Sequence, residues 1–244
     1  VDYVAEIEKQ AAGLRAAAVA AGPEAPVPTC PKWTVHDLVW HQSSVHAWAA
    51  EALVTPPSSR PVRPDEMPES GGPAKWDELL GWWDEKLALL LDRLRTTDPD
   101  TPVWTFNDDK VASFWARRQA HETSIHHLDA LHARGDVPSL LWSPEFAADG
   151  VDEYFASCMP RAVRRAAVDV EGTILFHAAD AGRTWEVRLT PGEPVVVGPP
   201  QDAAIDEDAT VAGTADAIYR AVWGRPSHAI VSGDRALLDG LRRP

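Results

Sequence analysis

The spacing of apolar side chains divides the chain into two parts. Val4, Ile7, Ala11, Leu14 and Ala18 recur at alternating steps of three and four, which predicts a first helix with one apolar stripe. Gly22 and Pro23 stop it, and a proline-rich connector follows over 23–31. Thr34 and Asp37 then predict a second helix start, with a hydroxyl to cap it and a carboxylate beside the free amides. Leu38, Val45, Trp48 and Ala52 fall on one face of that helix. A third helix over about 74–94 carries a stripe that includes Trp76, Leu79, Trp83, Leu87, Leu90 and Leu94. A fourth spans about 111–134 and ends at Gly135. Four amphipathic helices predict a helical bundle. The proline-rich and glycine-rich loops over 55–73 and 96–110 are expected to shape the rim of a pocket.

Beyond about residue 140 the period changes. Ser143, Pro144 and Glu145 predict a helix start, with serine as cap and proline in the first turn, and that helix runs to about Cys158. Strand-type runs follow at 168–177, 184–190 and 194–197, and Trp185, Val187 and Leu189 alternate with polar residues. Helices at 214–223 and 235–241 flank a short strand at 229–232. The expected fold is an all-α bundle over residues 1–142, followed by a smaller α+β domain over 143–244.

Composition narrows the function. With 37 acidic and 23 basic residues the formal charge is −14, which a phosphate backbone would repel, so a nucleic-acid partner is not expected. No apolar run approaches the ~20 residues of a membrane helix, and Ala16 to Ala21 is too short for a signal-peptide core. Two cysteines exclude a disulfide scaffold and make a reducing cytoplasm the default. Cys158 follows apolar Tyr154 and Phe155, and Cys30 lies in the connector, so neither is expected to be a nucleophile. Eleven tryptophans and nine histidines supply core, pocket walls, metal ligands or proton carriers.

The fourth helix carries the chemistry. Glu122 and His126 are four residues apart, roughly 40° around the axis, and Asp129 continues the same side. Trp115 and Arg118 extend the stripe backward. Charged groups on a core-facing stripe call for partners, and a metal or a polar pocket supplies them. A zincin motif is excluded, because it would need histidine where Ile125 stands. His121 and His126, five apart, point in different directions. Of His36, His41 and His46, only His41 keeps step with Leu38, Val45 and Trp48. Two histidines and one glutamate would leave a coordination position open, as catalytic zinc prefers. On the residues alone, Glu122 and His126 also read as a simple intrahelical pair. His127 and His132 fall outside this face and are expected at the surface.

Trp33-Thr-Val-His-Asp-Leu-Val-Trp-His41 and Arg117-Arg-Gln-Ala-His-Glu-Thr-Ser-Ile-His-His-Leu-Asp129 resemble the mycothiol-dependent maleylpyruvate isomerase family, among the DinB-like metal-binding four-helix bundles of actinobacteria. The resemblance continues through Phe146 to Tyr154, Gly213 to Arg225 and Val231 to Asp234, so it spans nearly the whole chain. It implies a DinB-like bundle followed by a sterol-carrier-like α+β domain. It also implies that His41, Glu122 and His126 hold a divalent metal, zinc. Asp129 would orient a ligand or the cosubstrate, Arg118 would contribute to cofactor binding, and Arg225 would grip a substrate carboxylate. It departs at His127, where the family usually has arginine. The implied activity is attack of mycothiol, deprotonated on the metal, on a small electrophile, as a cis–trans isomerase or an S-transferase. A metal-dependent hydrolase on the same bundle, or a non-catalytic small-ligand module, are the alternatives.

Overall fold

The computed structural model describes residues 1–61, 72–160, 168–199 and 207–242. Two compact units divide between Val137 and Pro138. The first holds four long helices, α1 (Tyr3–Ala21), α2 (Val35–Ala52), α3 (Trp76–Thr96) and α4 (Ser113–Arg134). Local chemistry sets their ends. Asp2 caps α1 by accepting from the Ala5 amide. Thr34 and Asp37 close a reciprocal capping box at the start of α2. Gly135 ends α4 in the left-handed region at φ 85°, its amide donating to the carbonyls of Leu131 and His132.

α1 packs along α4, and α2 lies against both α3 and α4. Ile7, Leu14, Leu38, Leu79, Trp83, Leu90, Ile125 and Leu128 are fully enclosed. α4 is buried on almost every side, including the polar Arg118, Gln119, His121, Thr123, Ser124, His126 and Asp129. That is why its sequence has no clean apolar stripe. At one end Trp115 sits among Trp48, Trp104, Phe106 and Phe114, with the Trp48 ring centroid 5.0 Å away. Its indole N–H donates to the Trp104 carbonyl at 2.8 Å. The 96–110 loop is thereby packed onto the bundle. In the expected 55–73 loop, residues 62–71 lie outside the described residues. Exposed pairs Arg15–Asp84 and Arg95–Glu8 link α1 to α3 and contribute at most about 1 kcal/mol each.

The second unit begins with α5 (Pro144–Glu153), capped by Ser143 and continued by one π-helical turn over Tyr154–Cys158. Five strands follow, β1 (Gly172–Ala178), β2 (Arg183–Leu189), β3 (Val196–Gly198), β4 (Ala209–Gly213) and β5 (Ile230–Gly233), with helices α6 (Ala215–Val222) and α7 (Arg235–Arg242). The sheet order is β3-β2-β1-β4-β5. β1 and β4 are parallel and the other neighbours antiparallel. The register sets Ile174 opposite Val187 and Phe176 opposite Trp185, giving one continuous apolar face. β4 is an inner strand that the sequence pattern does not announce. Its run Ala-Thr-Val-Ala-Gly is short and small, and its place comes from pairing on both edges. No described helix is long and apolar enough to cross a membrane.

Residues 138–142 belong with the second unit because α6 holds them. Asp216 accepts from the amides of Leu141 (2.7 Å) and Trp142 (3.1 Å). Arg220 donates to the Pro138 carbonyl at 3.1 Å and pairs with Asp216 at 2.6 Å. Both side chains are almost entirely buried. Removing one partner of such a pair leaves the other charge unmet in a low-dielectric interior. Asp216→Ala is therefore expected to destabilise the second unit by about 3–5 kcal/mol. Urea unfolding followed by Trp fluorescence checks this, and a loss below about 1 kcal/mol would reject it.

Candidate metal centre

His41 on α2 and Glu122 and His126 on α4 converge inside the bundle. His41 Nε2 lies 3.2 Å from Glu122 Oε1, and His126 Nε2 lies 3.3 Å from the same oxygen. One ligand atom from each of the three residues falls within 4.8 Å of the others. Zinc bonds of about 2.0–2.1 Å at tetrahedral angles put neighbouring donors ~3.3 Å apart, so the spacing and the N, N, O donor set both fit a divalent cation.

The remaining atoms of these groups are held from outside. Arg118 bonds the second oxygen of Glu122. His126 Nδ1 meets Asp129 Oδ2 at 3.0 Å. A carboxylate only accepts, so Nδ1 carries the hydrogen and Nε2 is the atom turned towards Glu122. This carboxylate–histidine arrangement is the usual outer shell of a metal-binding imidazole. Asp129 is wholly buried, and its carboxylate holds the His126 ring through Nδ1. The α1–α2 connector also reaches it. Thr29 Oγ1 donates to Oδ1 at 2.5 Å, and the Cys30 thiol lies 3.6 Å from Oδ2. Cys30, His126 and Asp129 form a second group with donor atoms within 4.8 Å. Trp33, also from the connector, lies over both imidazoles, with centroids 4.8 Å from His41 and 5.8 Å from His126. The connector 23–31 carries no periodicity. The only sequence sign of its part here is a pair of small donors, Thr29 and Cys30, shortly before the Trp33–Thr34 cap.

Beneath this centre lies a second polar set. The Trp83 indole N–H donates to His46 Nδ1 at 3.3 Å, so His46 Nε2 carries the hydrogen and faces Thr123 Oγ1 at 3.1 Å. The Gln42 amide is 3.0 Å from the same nitrogen. His46 thus points into the bundle as His41 does, on a neighbouring face, against the expectation that only His41 would. His36 instead meets the Ala74 carbonyl at 3.1 Å. His121 faces the Tyr3 ring, with centroids 6.3 Å apart. His127, expected at the surface, is half-buried. Its Nδ1 lies 2.7 Å from Gln10 Oε1, and its ring rests on Gly13, where a Cβ would come within 2.3 Å of it. Arg225 belongs to the second unit, just after α6, where its guanidinium donates to the Trp223 carbonyl at 2.8 Å.

Electrostatics divides these groups. Burial pushes His46 down to about 3 and His127 down to about 4, so both rings are neutral at physiological pH. His127 therefore carries no positive charge. Burial also lowers His41, against its bond to Glu122. Burial opposes the charge on Glu122, but Arg118 and the two histidines outweigh it and hold the carboxyl well below its ordinary range. Burial likewise opposes protonation of His126, yet Asp129 and Glu122 together raise it to about 9.

A four-helix bundle with a buried histidine–carboxylate centre, joined to a five-stranded sheet unit, defines a two-unit class of protein. Residues 4–131 match the mycothiol maleylpyruvate isomerase N-terminal domain, and residues 145–240 match the C-terminal domain of the same family. The chain belongs to the mycothiol maleylpyruvate isomerase family. Two crystal structures share the fold, one of a histidine-to-alanine variant of the mycothiol-dependent maleylpyruvate isomerase and one of that isomerase itself. The first has a TM-score of 0.66 at 15% identity, covering 94% of this chain and 91% of that one. The second has a TM-score of 0.63 at 14% identity with the same coverage, 94% and 91%. No curated protein matches the chain.

The pKa values set the pH response of the metal-free protein. The His126 ring titrates at about 9 when folded and near 6.5 when unfolded, so its contribution is full below pH 6.5 and disappears as pH rises through about 9. His46 and His127 act on the acid side. They stay neutral when folded, so their contribution is full above pH 6.5 and is lost as pH falls towards about 4 and 3. Chelator-treated protein should lose melting temperature between pH 6.5 and 9, and His126→Gln should flatten that alkaline fall. A decline of equal slope in the variant would contradict the assignment.

Proposed function

We propose that this chain is an enzyme that holds a divalent cation, zinc, through His41, Glu122 and His126 and uses mycothiol as cosubstrate on a small electrophile. The reading is supported above all by the spacing of the three donors, 3.2 and 3.3 Å around Glu122 Oε1. Family membership supports the choice of thiol, because the structural neighbours are mycothiol-dependent isomerases by name. A cation bound there supplies acidity to a coordinating thiol, which then exists as thiolate at neutral pH.

The chain's own groups do the rest. Asp129 fixes the ring of His126, and Arg118 fixes the carboxylate of Glu122 and contributes to cofactor binding through it. Trp33 walls one side of the centre beside the two imidazoles. Arg225 binds a substrate carboxylate with its planar fork. The thiolate adds to one carbon of a conjugated cis alkene, and the electron pair moves onto the adjoining carbonyl as an enolate. The former double bond rotates, and the enolate expels the thiolate to leave the trans alkene. If the enolate is protonated instead, the S-conjugate is the product. Placement in the cytoplasm rests on the two-cysteine composition.

Metal analysis paired with mycothiol titration tests this reading. The wild type is expected to hold one zinc per chain, and His41→Ala to lose zinc affinity by roughly 100-fold or more. Turnover of a conjugated cis alkene should require the thiol. Full zinc content in His41→Ala would remove the three-ligand assignment, and turnover without thiol would indicate hydrolysis.

A further inference from the structure

We infer that the α1–α2 connector is a working part of the metal centre, in which Thr29 and Cys30 are positioning residues that fix His126 through Asp129. The inference rests on the metal reading above.

The connector is folded tightly enough to do this. The Val27 amide donates to the Trp33 carbonyl at 2.9 Å, the Cys30 amide to Val27 at 3.0 Å, and the Trp33 amide to Cys30 at 2.8 Å. The Val35 amide donates back to Ala25 and the His36 amide to Pro23, each at 2.9 Å, which pins the loop to the first turn of α2. Val27 is buried beneath it. Thr29 and Cys30 sit at the tip of this loop, and their side chains reach the same carboxylate from about a hundred residues away in sequence.

Asp129 needs these donors. A buried carboxylate is tolerable only when its lone pairs are met. Thr29 takes Oδ1, while His126 Nδ1 and Cys30 share Oδ2. The Thr29 hydroxyl bonds one oxygen of the carboxylate while the other bonds His126, and so helps to fix the plane in which the carboxylate meets the ring. Without it the terminal torsion of Asp129, which is soft, is less restrained, and the bond to the imidazole is less well directed. The ring orientation that directs Nε2 at Glu122 is thus set partly by a loop outside the helices that carry the ligands. The Cys30 thiol is a weaker donor at a longer distance, so its share is smaller.

Zinc affinity by chelator competition and the visible absorption of the cobalt-substituted protein test this without relying on activity. Thr29→Val keeps the side-chain volume and deletes the hydroxyl. It should lower zinc affinity about 10- to 100-fold and shift the cobalt bands, the usual range for an outer-shell partner. Thr29→Ser should stay within about threefold of wild type, because the hydroxyl remains. In an Asp129→Asn background, Thr29→Val should cost little more, since both changes act on one bond. Wild-type affinity in Thr29→Val, an equal loss in Thr29→Ser, or losses that multiply with Asp129→Asn would each overturn the inference while the metal reading stands. If Thr29→Val does not fold by circular dichroism, Cys30→Ala decides, a measurable loss supporting the role and none overturning it. Wild-type protein that takes up no zinc would overturn the metal reading, and this inference with it.

Discussion

Asp129 has no exposed surface, and a carboxylate so placed has to be met by donors or give up its charge. The His126 ring is one of those donors, and the arrangement of the centre follows from that bond. With Nδ1 committed to Asp129, Nε2 faces Glu122, which also receives His41 from α2. Arg118 completes the line one turn back. Residues 118, 122, 126 and 129 step by four, four and three along a single face of α4. Each group therefore constrains the next, and only His41 must arrive from another helix. Helix spacing supplies most of the centre's order, and the α2–α4 packing supplies its last member.

That division explains what the sequence could disclose. Helix starts and stops are local, so Thr34 with Asp37, Ser143 with Pro144, and Gly135 could each be read from a few neighbouring residues. The face of α4 was readable too, because its periodicity survives in polar residues. Thr29, Cys30 and Trp33 were not readable as site residues, since a connector has no period and their partners are distant in the chain. His46 was misread for a related reason. Buried sides of α2 face both α3 and α4, so more than one helical face points inward, and a single stripe centred on Leu38 and Val45 undercounts them. β4 was missed because its five small residues carry little intrinsic strand signal. Its identity comes from β1 on one side and β5 on the other.

Two buried acid–arginine pairs show how similar sequence patterns serve different ends. Asp216 and Arg220 are four apart on α6, with the acid towards the helix N-terminus, the orientation a helix favours by itself. Their outer atoms are spent on the backbone of residues 138–142, so the pair fastens chain to helix. Arg118 and Glu122 are also four apart but in the reverse order, which helix energetics favours less. The compensation lies across the bundle, where the other oxygen of Glu122 meets two imidazoles. Spacing identifies both pairs, and only the partners of the acid separate a structural latch from a site.

The charged groups of the centre are already committed to one another. Arg118 gives its charge to Glu122, and His126 gives Nδ1–H to Asp129. His127 is turned onto Gly13 and Gln10 and kept neutral by burial. Arg118 and His126 are thus engaged in building the centre.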